Sequence, residues 1–358
     1  RSISAKTACR WNKDLVCGGR VYFPAYNHKN GERLIGVTKK ERVLTVLAGK
    51  EPDCTPVSFS LHFPEMENAG EDGVQSHLKF FRETDTDIYK IMNENLVPCV
   101  GELDGPETWS RVCGVCREGA FIEKQADFAE RILSSCGAEA FTLGTLHGIT
   151  ASGIHPIEKV YGDEHSRTLL AESLRKNPEA VLEAFDCIAE QQCRLVRIYA
   201  EMGMDGVYYA ALGGEKRWFT DGEFQTWIEP FDKRVLAEIR KAKMAVFLHI
   251  CKDGLNMERY ASYAPYADVV NWGVYEVPLS LEEGKRLFPE NTLMGGLPNR
   301  SGIMTEGTEA ELVQETQKII CRYGPKHFIL GADCTLPTEI PYARIRAIVE
   351  TARNAVQQ

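Results

Sequence analysis

The sequence predicts an α/β fold, a single (β/α)8 TIM barrel, on three observations. Eight short apolar runs recur along the chain, helical patterns separate them, and no low-complexity linker or internal repeat divides the 358 residues. Alternating strands and helices favour a parallel sheet, and eight strands are what a closed barrel of this kind requires. A doubly wound open sheet is the rival arrangement.

The first 36 residues, ending in "NGERLIG", carry no sustained period of 2 or 3.6 and mix Gly, Asn and basic residues. They read as a loosely ordered leader or extension ahead of a barrel spanning 37–358, and Val37 resembles a natural start. Thr38 is placed to N-cap a first helix with Glu41 as its capping-box partner, and Gly49 to stop it. Strands are expected at Val57 to Leu61, Ile88 to Met92, Ala138 to Leu143, Gly206 to Ala210, Met244 to Ile250, Asp268 to Trp272, Thr292 to Gly295 and His327 to Leu330. Helical patterns run Gln125 to Ser135, Pro178 to Glu201, Asp221 to Lys241, Leu279 to Arg286, Thr308 to Cys321 and Thr338 to Arg353. The helix from Pro178 has Asn177 as its expected N-cap, proline at the first helical position and Gly203 beyond its end.

A net charge of −9 argues against broad nucleic-acid or anionic-membrane binding, because those surfaces need a cationic counterpart. No apolar stretch approaches the roughly 18 residues that span a bilayer, and no signal peptide is visible, so a cytoplasmic protein is expected. The twelve cysteines form no compact framework and should be reduced. Cys136, Cys187, Cys193 and Cys321 read as small buried hydrophobes. Cys113 and Cys116 form a CxxC, a pattern open to redox or zinc chemistry. No second CxxC answers it and no thioredoxin-like βαβ unit surrounds it, so a loop with two ordinary thiols is expected.

The chemistry concentrates elsewhere. In "MAVFLHIC" an apolar run ends in His249 and Cys251, and in "HFILGADC" another is followed by Cys334. Residues two apart on a strand share a face, so His249 and Cys251 can grip one ion, with Cys334 arriving from a neighbouring strand end. Two Cys and one His leave a fourth zinc position open, as catalytic sites do. Such a centre suits a thiol acceptor, or the ether or alcohol oxygen of a methyl donor. Glu276 could close the site at rest, though an exposed salt-bridge Glu is the plainer reading.

Weaker candidates surround this set. His147 and His155 fall in the expected long loop after the third strand, where either could be a general base or an ordinary loop histidine. Tyr208, a further catalytic candidate, and Tyr209 sit near a strand end and could contact a flat or macrocyclic ligand, although aromatics in strands usually pack. Gly213 and Gly214 would allow close backbone approach to a cofactor. His62 lies just past the first strand, and Asp333, beside Cys334, could accept a hydrogen bond from a metal-bound group.

From Val37 onward these residues resemble the uroporphyrinogen decarboxylase superfamily, in its branch of zinc- and corrinoid-dependent methyltransferases similar to methylcobalamin:coenzyme M methyltransferase. "TKKERVLTVLAGKEPDCTPVSF" resembles the superfamily's opening helix and first strand, and "HFILGADCTLPTEIPYARIRAIVETAR" its closing strand and helix. The branch's His-x-Cys with a distant Cys falls on His249, Cys251 and Cys334. The resemblance implies a barrel, bound Zn2+ and methyl transfer involving a corrinoid on a carrier protein, for O-demethylation or another one-carbon exchange. It argues against decarboxylation, since this chain reads "LHFPEMENAGEDG" where the decarboxylases carry an arginine-bearing segment. A family Glu that serves as a replaceable ligand would fall near Gly273. A metal-free tetrapyrrole decarboxylase and a non-catalytic corrinoid or metal binder remain the alternatives, the second weakened by the lack of a DxHxxG cobalt-ligating signature.

Overall fold

A computed structural model of the protein describes residues 36–355, so most of the expected leader at 1–36 lies outside the described residues. The Thr38 hydroxyl accepts from the Glu41 N–H, and the Glu41 carboxylate answers it, which starts α1 (Lys39–Leu47) as the capping box predicts. Gly49 follows with φ of 68°, which costs a glycine little. Val43 and Val46 of α1 then pack against Ile88, Phe141 and Ile329 and close the floor of a barrel.

The eight strands are β1 (Val57–Ser58), β2 (Ile88–Ile91), β3 (Phe141–His147), β4 (Gly206–Ala211), β5 (Ala245–Ile250), β6 (Val269–Trp272), β7 (Thr292–Leu297) and β8 (Phe328–Ala332). All pair in parallel, in the order β1-β8-β7-β6-β5-β4-β3-β2. Inward positions such as Leu143, Tyr208, Phe247 and Met294 fill the barrel. Outward ones such as Val207, Tyr209, Leu248 and Val270 meet the surrounding helices. Burial on both faces is why these strands read as continuous apolar runs rather than alternating ones.

The seam between β1 and β2 closes without a regular ladder. Asp87 N–H donates to Val57 O at 3.0 Å, and Val57 N–H donates to Asp87 Oδ2 at 2.8 Å. Arg42 of α1 holds the other Asp87 oxygen, so one side chain completes the ring where the backbone pairing is short.

The helices are α2 (Gly70–Thr84), α3 (Pro106–Glu118), α4 (Ala120–Cys136), α5 (Ile149–Tyr161), α6 (Asp163–Lys176), α7 (Pro178–Glu201), α8 (Asp221–Glu223), α9 (Glu229–Lys241), α10 (Leu281–Leu287), α11 (Glu309–Tyr323) and α12 (Tyr342–Asn354). The α7 bounds are as expected, although Asn177 makes no side-chain cap bond. Several expectations need correction. The first strand is two residues long, continued only by a bridge between Leu61 and Leu336. The third begins three residues later than expected, because Glu139 is held by Lys40 of α1 and pairing starts where Phe141 N–H meets Asp87 O. The helix expected over Asp221 to Lys241 is interrupted by a π-helical turn at Phe224–Ile228. Pro230 lacks the N–H that an α-helical bond would need there. The last helix waits for Pro341, which sets its start at Tyr342.

Cys113 and Cys116 lie on α3 rather than in a loop, both buried. Ten cysteines of the described residues are free thiols. Cys193 is fully buried as expected, while Cys136, Cys187 and Cys321 are only partly so. No helix among the described residues is long and apolar enough to cross a membrane.

Candidate metal centre

His249 stands one residue from the end of β5, in register with Ala210 of β4 and Asn271 of β6. The pleat turns Phe247, His249 and Cys251 inward, the first into the barrel's apolar filling and the other two above it. Cys251 leaves the strand but is still tied to β4, its N–H donating to Ala211 O at 3.1 Å. Cys334 follows β8 by two residues, and Asp333 N–H donates to Leu297 O of β7 at 3.0 Å to fix that exit. Both halves of the set therefore sit where strands end and βα loops begin, the catalytic edge of such barrels.

The donor atoms of His249, Cys251 and Cys334 all lie within 4.8 Å of one another. The two sulfurs are 3.8 Å apart. Zinc–sulfur bonds of about 2.3 Å at a tetrahedral angle place two thiolates about 3.8 Å apart, so the spacing fits that ion. His249 Nδ1 lies 2.6 Å from Asn271 Oδ1. The Asn271 amide nitrogen donates to Met294 O at 2.9 Å and Ala332 O at 3.1 Å, which leaves its oxygen as the acceptor for the ring. The Nδ1 proton is thereby assigned, and Nε2 keeps a free lone pair. That atom is buried and has no hydrogen-bond partner.

Two sulfurs this close share a proton. Cys334, facing the Cys251 thiol and the His249 ring, is held well below the ordinary thiol range, and Cys251 is pushed above it. Beside them Asp333 is 1% exposed. Its Oδ2 accepts from Tyr275 N–H at 2.8 Å, its Oδ1 has no partner, and burial pushes the carboxyl up to about 7.

A cavity of about 190 Å³ opens over the three donors, lined also by His62, Lys90, His147, His155 and Tyr208. The His147 and His155 rings meet edge to face with centroids 5.2 Å apart. Burial drives them down to about 3 and about 4, so both are neutral at pH 7. Tyr208 stacks 5.4 Å from the His249 ring. Its hydroxyl donates to Asn271 Oδ1 at 3.3 Å.

A model of the uroporphyrinogen decarboxylase (URO-D) family matches residues 160–355. The chain belongs to the uroporphyrinogen decarboxylase family. A search of curated proteins finds no match. Among solved structures, the fold is similar to a methyltransferase from Methanosarcina mazei, at 13% identity and a TM-score of 0.65, covering 88% of this chain and 98% of that one. It is also similar to a B12-independent methionine synthase from Shewanella sp. W3-18-1, at 12% identity and a TM-score of 0.52, covering 84% and 96%. At these identities the likeness is one of fold.

Within this family barrel, four sequence expectations change. His147 is the last residue of β3 and His155 lies in α5, because the strand runs on through Gly144 and Thr145 and only Gly148 separates it from the helix. Both nonetheless reach the cavity. Tyr209 points the other way, fully buried, its hydroxyl 2.5 Å from Asp232 Oδ1. Gly213 and Gly214 are closed by the protein itself. A Cβ would meet Thr150 Oγ1 at 2.5 Å at the first and the Tyr260 ring at 2.5 Å at the second, so neither offers backbone to a cofactor. Glu276 stays outside the donor set and is exposed without an ion pair among the described residues, its carboxylate folded back over Gly273.

Two residues that line or support the site escaped sequence reasoning. Asn271 shares strand parity with inward Val269, and Lys90 with inward Ile88. A polar residue at an inward position of an otherwise apolar strand was the available signal.

Proposed function

We propose that this chain is a zinc-dependent methyltransferase that moves a methyl group between a corrinoid on a partner carrier protein and a small substrate, either a thiol acceptor or a methyl donor such as an aryl methyl ether. The observation that carries this reading is the state of His249. The residue is 3% exposed, one ring nitrogen is fixed by Asn271, and the other has no hydrogen-bond partner, although the sulfurs of Cys251 and Cys334 lie within 4.8 Å of the ring's donor atom. A buried lone pair without a donor is costly, and a cation satisfies it.

His249, Cys251 and Cys334 would hold the ion, which when bound supplies Lewis acidity to a thiol or an ether oxygen at an open fourth position. The chain's own residues do the rest. Asn271 keeps the imidazole in one tautomer and orientation. The apolar layer of Leu143, Phe247 and Met294 keeps water from below. Neutral His147 and His155 line the same cavity, where their ring nitrogens can hydrogen-bond and orient a substrate. At about 190 Å³ the cavity suits a small substrate and has no room for a tetrapyrrole, so a corrinoid would approach from the mouth.

Elemental analysis and methyl exchange with methylcobalamin, against a series of thiols and methoxylated rings, test the reading. About one zinc per chain is expected, and Cys251→Ala should lose both metal and exchange. Full turnover by a verified zinc-free preparation would sink it, and tight corrinoid binding with no methyl exchange would favour a binding protein instead.

A further inference from the structure

Lys90, the third residue of β2, is 5% exposed inside the barrel, and the carboxylate that acts on it from within the fold, Glu94, is itself bonded to His62 at 2.6 Å. Its Nζ donates to Ser60 Oγ at 3.2 Å and lies 3.6 Å from the Tyr208 ring centroid, and among the described residues it makes no ion pair. Elsewhere the fold treats buried cations differently. Arg42 meets Asp53 and Asp87, Arg167 meets Asp163 and Glu215, and Arg259 meets Asp221, each with a side chain at or below 7% exposure. An unpaired buried ammonium is strongly unfavourable, so a lone one at the wall of a cavity calls for an anion from outside.

The cavity it lines is the one above His249, Cys251 and Cys334. Two thiolates cancel the charge of a divalent zinc ion and a neutral imidazole adds none; the cavity's other cations, Arg167 and Lys252, are paired with Asp163, and Arg167 also with Glu215, which leaves Lys90 as the lining cation without a carboxylate partner. Burial lowers its pKa to about 8, with the nearby sulfurs and then the Glu94 carboxylate opposing that shift, so the ammonium is mostly protonated at pH 7. The Tyr208 ring face helps hold the cation but cannot neutralise it.

We propose that Lys90 is the subsite for a singly charged oxyanion, such as a carboxylate, carried by the small substrate of the metal-centred reaction. The assignment rests on the metal reading above. It narrows the substrate class to anionic thiols or anionic methyl ethers, with the charged group directed to β2 and the reacting atom to the donors at the β5 and β8 exits.

Cobalt(II) in place of zinc gives a sulfur-to-metal absorption band that reports ligand entry without any turnover. The cobalt protein is titrated with 3-mercaptopropionate and with its methyl ester, which removes the charge and adds one methyl group. The wild type should bind the acid at least about tenfold more tightly than the ester. Lys90→Met, which keeps the length and apolar stem, should bring the two within about twofold while leaving the ester's affinity nearly unchanged. Lys90→Gln serves where the Met variant does not fold. An acid preference that survives both variants, or an equal weakening of acid and ester, overturns the Lys90 assignment and leaves the metal reading intact. No cobalt–sulfur band in the wild type overturns both.

Discussion

The Nδ1 of His249 lies 2.6 Å from the side-chain oxygen of Asn271, an amide pinned by carbonyls of two further strands. Four strands, β5 to β8, therefore set the direction in which one imidazole lone pair points, although only β5 carries the ring.

Removing that support should cost metal before it costs fold. Asn271→Leu, close in volume, frees the ring to turn and should weaken zinc binding about 10- to 100-fold, with the far-ultraviolet circular dichroism unchanged. Competition with a chromophoric chelator measures it. Unaltered affinity would show that the amide does not orient the ligand.

His77 predicts a pH dependence of stability. It is 1% exposed, its Nδ1–H donates to Gly73 O at 2.7 Å, and its Nε2 accepts from Met92 N–H at 3.0 Å. Both nitrogens are thus committed in the neutral ring, and burial drives the imidazole down to about 4 from 6.5. Because the folded value lies below the unfolded one, this contribution is whole above pH 6.5 and is lost as the pH falls toward 4. The full loss is about 3 kcal/mol, most of it by pH 4.5. His77→Phe, set among the rings of Phe63, Phe81 and Phe128, should lack this component in urea unfolding compared at pH 7 and pH 4.5. Equal pH dependence in the two proteins would falsify it.

Two helical glycines should respond oppositely to alanine. At Gly114 in α3 a Cβ meets nothing within 4 Å, so Gly114→Ala should stabilise by about 0.5–1 kcal/mol through helix propensity. At Gly284 in α10 a Cβ would lie 2.2 Å from the Trp272 ring, whose indole N–H is fixed to Leu279 O at 2.9 Å. Gly284→Ala should therefore cost about 1–3 kcal/mol despite the same propensity gain. Urea midpoints of the two variants decide it, and a stabilised Gly284→Ala would mean that the ring yields.

How much of this could be read from the residues follows from what each strand buries. The donors His249, Cys251 and Cys334 were legible because they end apolar runs that face solvent on neither side. The true span of β3 was not, because its last inward residues, Thr145 and His147, are polar where the barrel opens into the cavity. An apolar run stops early at such an edge, and the strand was cut at Leu143 for that reason. Tyr209 and the glycines at 213 and 214 were misplaced because their partners, Asp232, Thr150 and Tyr260, come from helices distant in sequence. Lys90 and Asn271 needed strand parity, which emerges only once each strand's inward residues are known.

The three donors are divided between the β5 exit and the β8 exit, so a chain that has emerged only through β7 owns one imidazole and one sulfur. The second sulfur arrives with the last strand. A slip of β8 by a single residue would carry Cys334 about 3.3 Å along its axis, while a zinc–ligand bond tolerates about 0.2 Å. For the proposed zinc site, a ring closed in register presents all three donors to one ion, whereas a ring slipped at β8 presents only His249 and Cys251.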